Sequence, residues 1–228
     1  MIETVAASGG TLLAFALARR LSARLGNPPW ASPVLIGALF VAIVLASFGI
    51  PFARFHAAAI LLRWLLGPAL VALALIIDAN RAALKADALP VLVAVGGGVA
   101  VGVGSALGLA RLLGLHDPLR AALATKTLST PFGVAINTAT GGPVALAAAI
   151  AVLTGVIGAL LVPPLFDRLR LTSSAGRALG LGTAAHIVGT DWLTRRDPRA
   201  GGLSALAMVL AGTLATVLLP PLWGWLVG

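Results

Sequence analysis

The stretch from Pro143 to Phe166, PVALAAAIAVLTGVIGALLVPPLF, contains no charged residue. A hydrocarbon core is crossed by about 20 consecutive apolar residues in a helix, so this run alone limits the architectures open to the chain. Comparable runs cover Val5–Leu21, Pro33–Ile50, Leu89–Leu113 and Leu203–Val227, and Ala57–Ile77 forms another, interrupted by Gly67-Pro68. Only 10% of the residues are charged and 59% are hydrophobic, where a soluble domain carries about 25% charged residues. In lipid every backbone N–H and C=O needs an internal partner, and continuous runs without strand-like alternation meet that need as helices. The expectation is an all-α polytopic membrane protein of the inner (plasma) membrane. It has about six full spans and forms one membrane domain over residues 1–228.

The net charge of +9 does not indicate nucleic acid. Lys and Arg sit at the ends of the apolar runs, where they mark the cytoplasmic side rather than form a phosphate-binding face. The chain has no cysteine, which excludes disulfides, thiol chemistry and Cys-ligated metal. The N-terminal run carries Glu3 before it and arginines after it, and reads as a retained first span rather than a cleaved signal. Trp30, Trp64, Trp192, Trp223 and Trp225 fall near the ends of runs, as interfacial anchors do. The glycines of VLVAVGGGVAVGVGSALGLA suit close helix packing.

Two segments, 120–140 and 177–193, are not ordinary spans. Both are short of large aliphatic residues and rich in Thr, Ser, Gly and Ala. Each holds an internal breaker, Ser129-Thr130-Pro131 in the first and Gly182-Thr183 in the second. They echo each other as RAALATKTLSTPFG and RALGLGTAAHIVGT, a similarity that composition alone could also produce. Paired, interrupted hydrophobic segments are the best sequence pointer to a transporter binding site. The loops with Arg19, Arg20 and Arg24, with Arg81 and Lys85, and with Arg168, Arg170 and Arg177 are expected in the cytoplasm. Simple alternation conflicts with the third, unless segment 120–140 dips in from outside and 177–193 dips in from the cytoplasm. That arrangement gives an inverted pair meeting near the bilayer midplane, with both termini on the non-cytoplasmic face.

Pro131 lacks an N–H and pushes Thr130 out of the α region. Ser129 or Thr130 then becomes an N-cap and a half-helix begins inside the membrane, its positive end free to hold a carboxylate. Hydroxyls of Thr127, Ser129 and Thr130 add donors, Asn137 follows on the same half-helix, and Lys126 places a cation beside the break, where a charge usually faces a pathway or a partner. A Pro kink stabilised by neighbouring hydroxyls is the bland alternative. In the second segment Gly182, Thr183, Gly189 and Thr190 let backbone approach closely, so His186 is expected to face the first break across a narrow gap. There it could hold a proton or bond a carboxylate; a neutral ring donating to a backbone carbonyl is the alternative. Asp78 and Asp191 sit near span ends. Ser105 in GVGSA lacks the following glycine of a nucleophile motif. No metal-binding or paired-aspartate motif is present, so no enzyme activity, metal or cofactor is expected.

At these residues the chain resembles the LrgB/CidB (also YohK-like) family of integral membrane proteins. The resemblance runs through PVLIG from Pro33, GPALVALAL from Gly67, KTLSTP from Lys126, LTGVIGALLVPPL from Leu153, RALGLGTAAHIVGT from Arg177 and LSALAMVLAG from Leu203. Its most specific part is Gly182, Thr183, Ala184, His186, Gly189 and Thr190. Family members usually have Ser at the place of Ala185 and Thr at the place of Ser129, and a proline where Leu75-Ile76-Ile77 runs on. The resemblance implies an architecture like cation–proton antiporters and anion transporters, with crossing broken helices and an inverted repeat. It also implies one of two functions. Plastid glycolate/glycerate carriers related to the family point to secondary transport of small monocarboxylates such as pyruvate, glycolate or lactate. The alternative is an antiholin- or holin-like regulator of murein hydrolase activity and cell lysis, paired with a small LrgA/CidA-type membrane protein. The residues of the two breaks favour the carboxylate; a homo-oligomer is left open.

Overall fold

In the computed structural model, residues 2–227 are described, apart from the side chains of Leu70 and Ala83. Twelve α-helices and one short 3-10 turn (Pro29–Ala31) account for the regular structure among them, with no strand. The chain is an all-α polytopic membrane protein. Four of its helical stretches are long and apolar enough to cross a membrane: Ile60–Ala79, Ala88–Leu112, Val144–Arg168 and Pro198–Val227. The pair Pro33–Ser47 and Phe52–Ala58, bent by 119° at the break between them, makes a fifth if it is one span. The first helix, α1 (Ile2–Arg24), is long enough at 23 residues, but Ser8-Gly9-Gly10-Thr11 and Arg19-Arg20 make it less apolar than these.

The contacts divide the chain into two compact units, residues 1–71 and 72–228. In the first, α1 packs on α2 (Pro33–Ser47), α3 (Phe52–Ala58) and α4 (Ile60–Trp64). Gly49, at φ +62°, turns the chain after α2, and the Ile50 N–H returns 2.8 Å to the Leu45 carbonyl. Gly37 lets α2 sit against the α1 backbone at Phe15. The interruption expected at Gly67-Pro68 falls at Leu65, between α4 and α5 (Leu66–Ala79). Pro68 cannot donate to the Trp64 carbonyl four residues back, so the helix is broken one turn ahead of the proline. Trp30 and Trp64 are exposed, as anchors at an interface would be.

The second unit continues through α6 (Arg81–Ala86), α7 (Ala88–Leu112), α8 (Asp117–Ala124), α9 (Thr130–Ala139), α10 (Val144–Arg168), α11 (Ser174–Thr194) and α12 (Pro198–Val227). Its core lies among α7 and α9 to α12, where glycine replaces bulk at the crossings. A β-carbon on Gly182 of α11 would overlap the Ser204 backbone of α12, and one on Gly201 of α12 would overlap Thr194 of α11. A hydrogen bond of 2.9 Å joins Thr190 Oγ1 and Ser204 Oγ between the same helices. This is small-residue packing of the kind membrane helices use in the absence of a hydrophobic driving force between them. Ser173 caps α11 by accepting from the Gly176 N–H at 3.1 Å, and the Arg111 guanidinium bonds the Trp225 and Leu226 carbonyls at the end of α12.

Candidate functional site

The first break falls where KTLSTPFG predicts it, except that Thr130 is not held out of the α region but opens the helix. Helix α8 ends at Ala124, Ser129 has extended backbone (φ −63°, ψ 148°), and α9 starts at Thr130 with Pro131 in its first turn. Ser129 is the N-cap, but its hydroxyl makes no capping bond. Its Oγ and that of Thr127 are buried and have no partner. Such atoms are costly in the interior unless something else meets them. Thr130 and Pro131 are half-buried, as is Lys126, which belongs to no ion pair among the described residues. Asn137 is fully buried, and its Nδ2 donates to Thr125 Oγ1 at 3.0 Å and to the Gly133 carbonyl at 2.9 Å. It ties α9 back to the break and so holds the break in shape.

The second break departs from its reading in two ways. It does not fall at Gly182-Thr183, which are helical: Thr183 Oγ1 donates to the Leu179 carbonyl at 2.8 Å and supports the helix. The one non-helical residue inside α11 is His186 itself, at φ +36° and ψ −129°. This is a left-handed backbone that a non-glycine residue adopts only when its surroundings enforce it. The enforcing contact is on α10. The His186 ring covers Gly155, where a β-carbon would strike it, and Nε2 lies 2.8 Å from the Ala151 carbonyl one turn earlier. The ring therefore rests on α10 instead of reaching across to the first break. A carbonyl only accepts, so Nε2 carries the proton and Nδ1 of the neutral ring presents a lone pair. Nδ1 is buried and unpartnered, and His186 is 1% exposed.

Helix α7 receives both segments. Thr183 occupies the space a β-carbon on Gly98 would need, 2.7 Å from its Cγ2, and Thr127 does the same at Gly102, at 3.0 Å. These glycines are successive turns of one helix face, roughly 6 Å apart along the axis. Gly212 of α12 likewise makes room for the Phe132 ring at the start of α9. Thr127, Ser129, Asn137 (at its Oδ1) and His186 thus keep free polar atoms, Lys126 keeps a free charge, and Gly182, Thr183, Gly189 and Thr190 serve packing. At Gly189 a β-carbon would lie 2.7 Å from Ala185 Cβ across the break. Gly155 and Gly212 were not singled out in the sequence, since each is one glycine in an apolar run whose partner is distant in the chain. Asp191 and Asp78 are engaged by Arg195 and Arg81 on their own helices, and Ser105 is exposed and bonds its own helix. A cavity of about 410 Å³ in the first unit, lined by residues including Glu3, Gly10, Phe40 and Arg54, contains none of these residues.

An all-helical membrane protein with two interrupted helices and unpartnered polar atoms at both interruptions is the class so defined. The chain belongs to the LrgB-like family, whose model matches residues 11–225. Holin-like protein CidB of Staphylococcus aureus (strain Mu50 / ATCC 700699) is 26% identical over 212 residues, covering 93% of this chain and 92% of the relative. Holin-like protein CidB of Staphylococcus epidermidis (strain ATCC 12228 / FDA PCI 1200) is 23% identical over 212 residues with the same coverage. Uncharacterized protein YxaC of Bacillus subtilis (strain 168) is 28% identical over 198 residues, covering 87% of this chain and 86% of the relative. No solved structure matches the chain.

Proposed function

We propose that the second unit carries a small monocarboxylate across the inner membrane as a secondary transporter. The observation that carries this reading is the first break. Two buried, unpartnered hydroxyls, Thr127 and Ser129, stand at the N-terminus of α9 beside the half-buried Lys126. A helix N-terminus offers free N–H groups and the positive end of the peptide dipoles, and a carboxylate satisfies both together with the hydroxyls. Gly, Ala, Ser and Thr dominate both breaks, so the substrate is short, of the size of pyruvate, glycolate or lactate. Interrupted helices suit alternating access about a fixed site. Binding and release of the anion are the whole of the chemistry: no covalent step, metal or cofactor is involved.

The names of the curated relatives favour a second reading more directly than the first: two of them are called holin-like. In that reading the chain regulates membrane permeability, and through it murein hydrolase activity and lysis, together with a small LrgA/CidA-type membrane protein. Uptake of labelled pyruvate, glycolate and lactate into proteoliposomes, with and without a pH gradient, separates the two. The transporter gives saturable uptake, competition among the three acids and indifference to their uncharged amides. Flat traces for all three acids support the regulator, and leakage of neutral solutes of similar size supports a pore.

A further inference from the structure

The cavity of the first unit is a groove between α1, the second half of α2 and α3. Its α1 wall is formed mainly by Glu3, Ala6, Gly10 and Leu13, three or four residues apart and so on one helix face. Phe40 and Val44 of α2 stand opposite, and Arg54 and Phe55 of α3 close one end. Gly10 differs from the glycines at the helix crossings. Gly37 makes room for the α1 backbone, whereas a β-carbon on Gly10 would meet nothing within 4 Å among the described residues. Thr11 also lines the groove, but its hydroxyl donates to the Ala7 carbonyl at 2.7 Å and asks nothing of a ligand. The volume, about 410 Å³, falls among those of small-ligand sites, about 300–1,000 Å³.

Charge is confined to one end of this groove, at Glu3 and Arg54. From Glu3 to Leu13 the α1 axis advances roughly 15 Å, half the thickness of a hydrocarbon core of about 30 Å. An apolar groove one leaflet deep, with charge only at its mouth, matches one acyl chain and its headgroup. The mouth selects the headgroup. Arg54 Nη2 bonds one oxygen of the Glu3 carboxylate, and both side chains are exposed. An exposed pair adds little to stability, and a guanidinium has donors beyond the one Glu3 uses, which a phosphate can accept. A purely anionic headgroup would set its charge against Glu3. A headgroup with a phosphate and an ammonium answers both residues.

We propose that this groove is a binding site for one membrane phospholipid with a primary-amine headgroup. One acyl chain lies between α1 and α2 against Gly10, the phosphate accepts from Arg54, and the ammonium donates to Glu3. Bound in this way, the lipid covers apolar surface of α1 and α2 that the chain itself leaves open. The site involves none of the residues of the two helix breaks, and it stands or falls apart from the transporter reading.

The full chain is reconstituted in phosphatidylcholine vesicles, whose trimethylated amine has no N–H to give Glu3. Phosphatidylethanolamine or phosphatidylglycerol with a photoactivatable acyl chain is added, and crosslinked peptides are located by mass spectrometry. The phosphatidylethanolamine probe labels residues 3–13 and 40–58 saturably, and at lower lipid fraction than the phosphatidylglycerol probe does. Gly10→Leu fills the groove and raises the half-saturating fraction about tenfold, a loss of roughly 1.4 kcal/mol in binding. Arg54→Gln removes the preference between the two headgroups. Equal, unsaturable labelling by both probes on the unsubstituted chain means ordinary boundary lipid and overturns the site. A preference for phosphatidylglycerol overturns it too. No labelling by either probe means that a second copy of the chain or another protein occupies the groove, which is equally fatal. The headgroup comparison needs no variant, so it decides even where Gly10→Leu misfolds; unchanged labelling of folded Gly10→Leu also overturns the site.

Discussion

Gly155 has no side chain, and that absence decides where His186 can lie. In a helix the carbonyl of residue i points toward the N–H of residue i+4, so the Ala151 carbonyl is flanked by whatever residue 155 carries. With glycine there the imidazole can approach from the side and bond it at 2.8 Å. In Gly155→Ala the new methyl meets the ring and lies 2.9 Å from Val188 Cγ2. The expected result is destabilisation of about 1–3 kcal/mol, the usual cost of overpacking, read as a lower unfolding midpoint in detergent. The Nε2–H resonance of His186 should shift as its bond to Ala151 opens; an unchanged resonance would place the ring elsewhere. At the other end of the chain, Arg54 bonds the Glu3 carboxylate. That hydrogen bond and the charge behind it hold the Glu3 carboxyl below its ordinary value of 4.5. A carboxylate whose folded pKa is depressed stabilises the fold above its unfolded pKa, and that stabilisation is lost as pH falls through the folded value. Arg54→Gln should therefore bring the Glu3 titration up toward 4.5, followed by carboxyl chemical shift, with no change at neutral pH in its ionisation state.

The two broken helices are shaped by opposite means. The first is broken by local chemistry: proline removes a donor, serine takes an extended backbone, and Asn137 fastens the result to Thr125. Removing the amide in Asn137→Ala leaves a cavity and deletes the bonds that Nδ2 gives to Thr125 Oγ1 and the Gly133 carbonyl, while Thr125 Oγ1 keeps its bond to the Ala122 carbonyl. It should cost about 1–3 kcal/mol, and protease sensitivity should rise at 125–130 before the rest of the unit unfolds. Cleavage confined to the loops at 140–143 or 169–173 would show that Asn137 does not hold the break. Because its causes lie within a few residues, this break was readable from Ser129-Thr130-Pro131, although the sequence left the cap open between Ser129 and Thr130 and the structure gives it to Ser129. The second break has a tertiary cause. Nothing in GTAAHIVGT says that the helix fails at histidine rather than at glycine, since the reason, Gly155 and the Ala151 carbonyl, lies on another helix. Gly182 looked like a breaker because glycine weakens helices; its part is to bring α11 onto Ser204 of α12. The all-α membrane class followed from apolar runs alone, whereas the packing of α9 to α12 on one another required the contacts.

At the scale of the whole second unit, the path of α11 decides how the protein could work. If α11 crosses the membrane, the loops before and after it lie on opposite faces. If α11 enters and returns, both loops lie on one face. Length does not choose, because 21 residues extend roughly 32 Å, enough for either. Charge does choose. Arg168, Arg170 and Arg177 precede or open the helix, and Arg195, Arg196 and Arg199 follow it; short loops rich in arginine stay in the cytoplasm. On that rule α11 is expected to enter from the cytoplasmic side and return to it. The test uses single cysteines at Thr172, between α10 and α11, and at Asp197, between α11 and α12, labelled with an impermeant maleimide in vesicles of known orientation. Both should react from the cytoplasmic side and from that side only. Labelling from opposite faces would mean that α11 crosses the membrane and is no re-entrant segment.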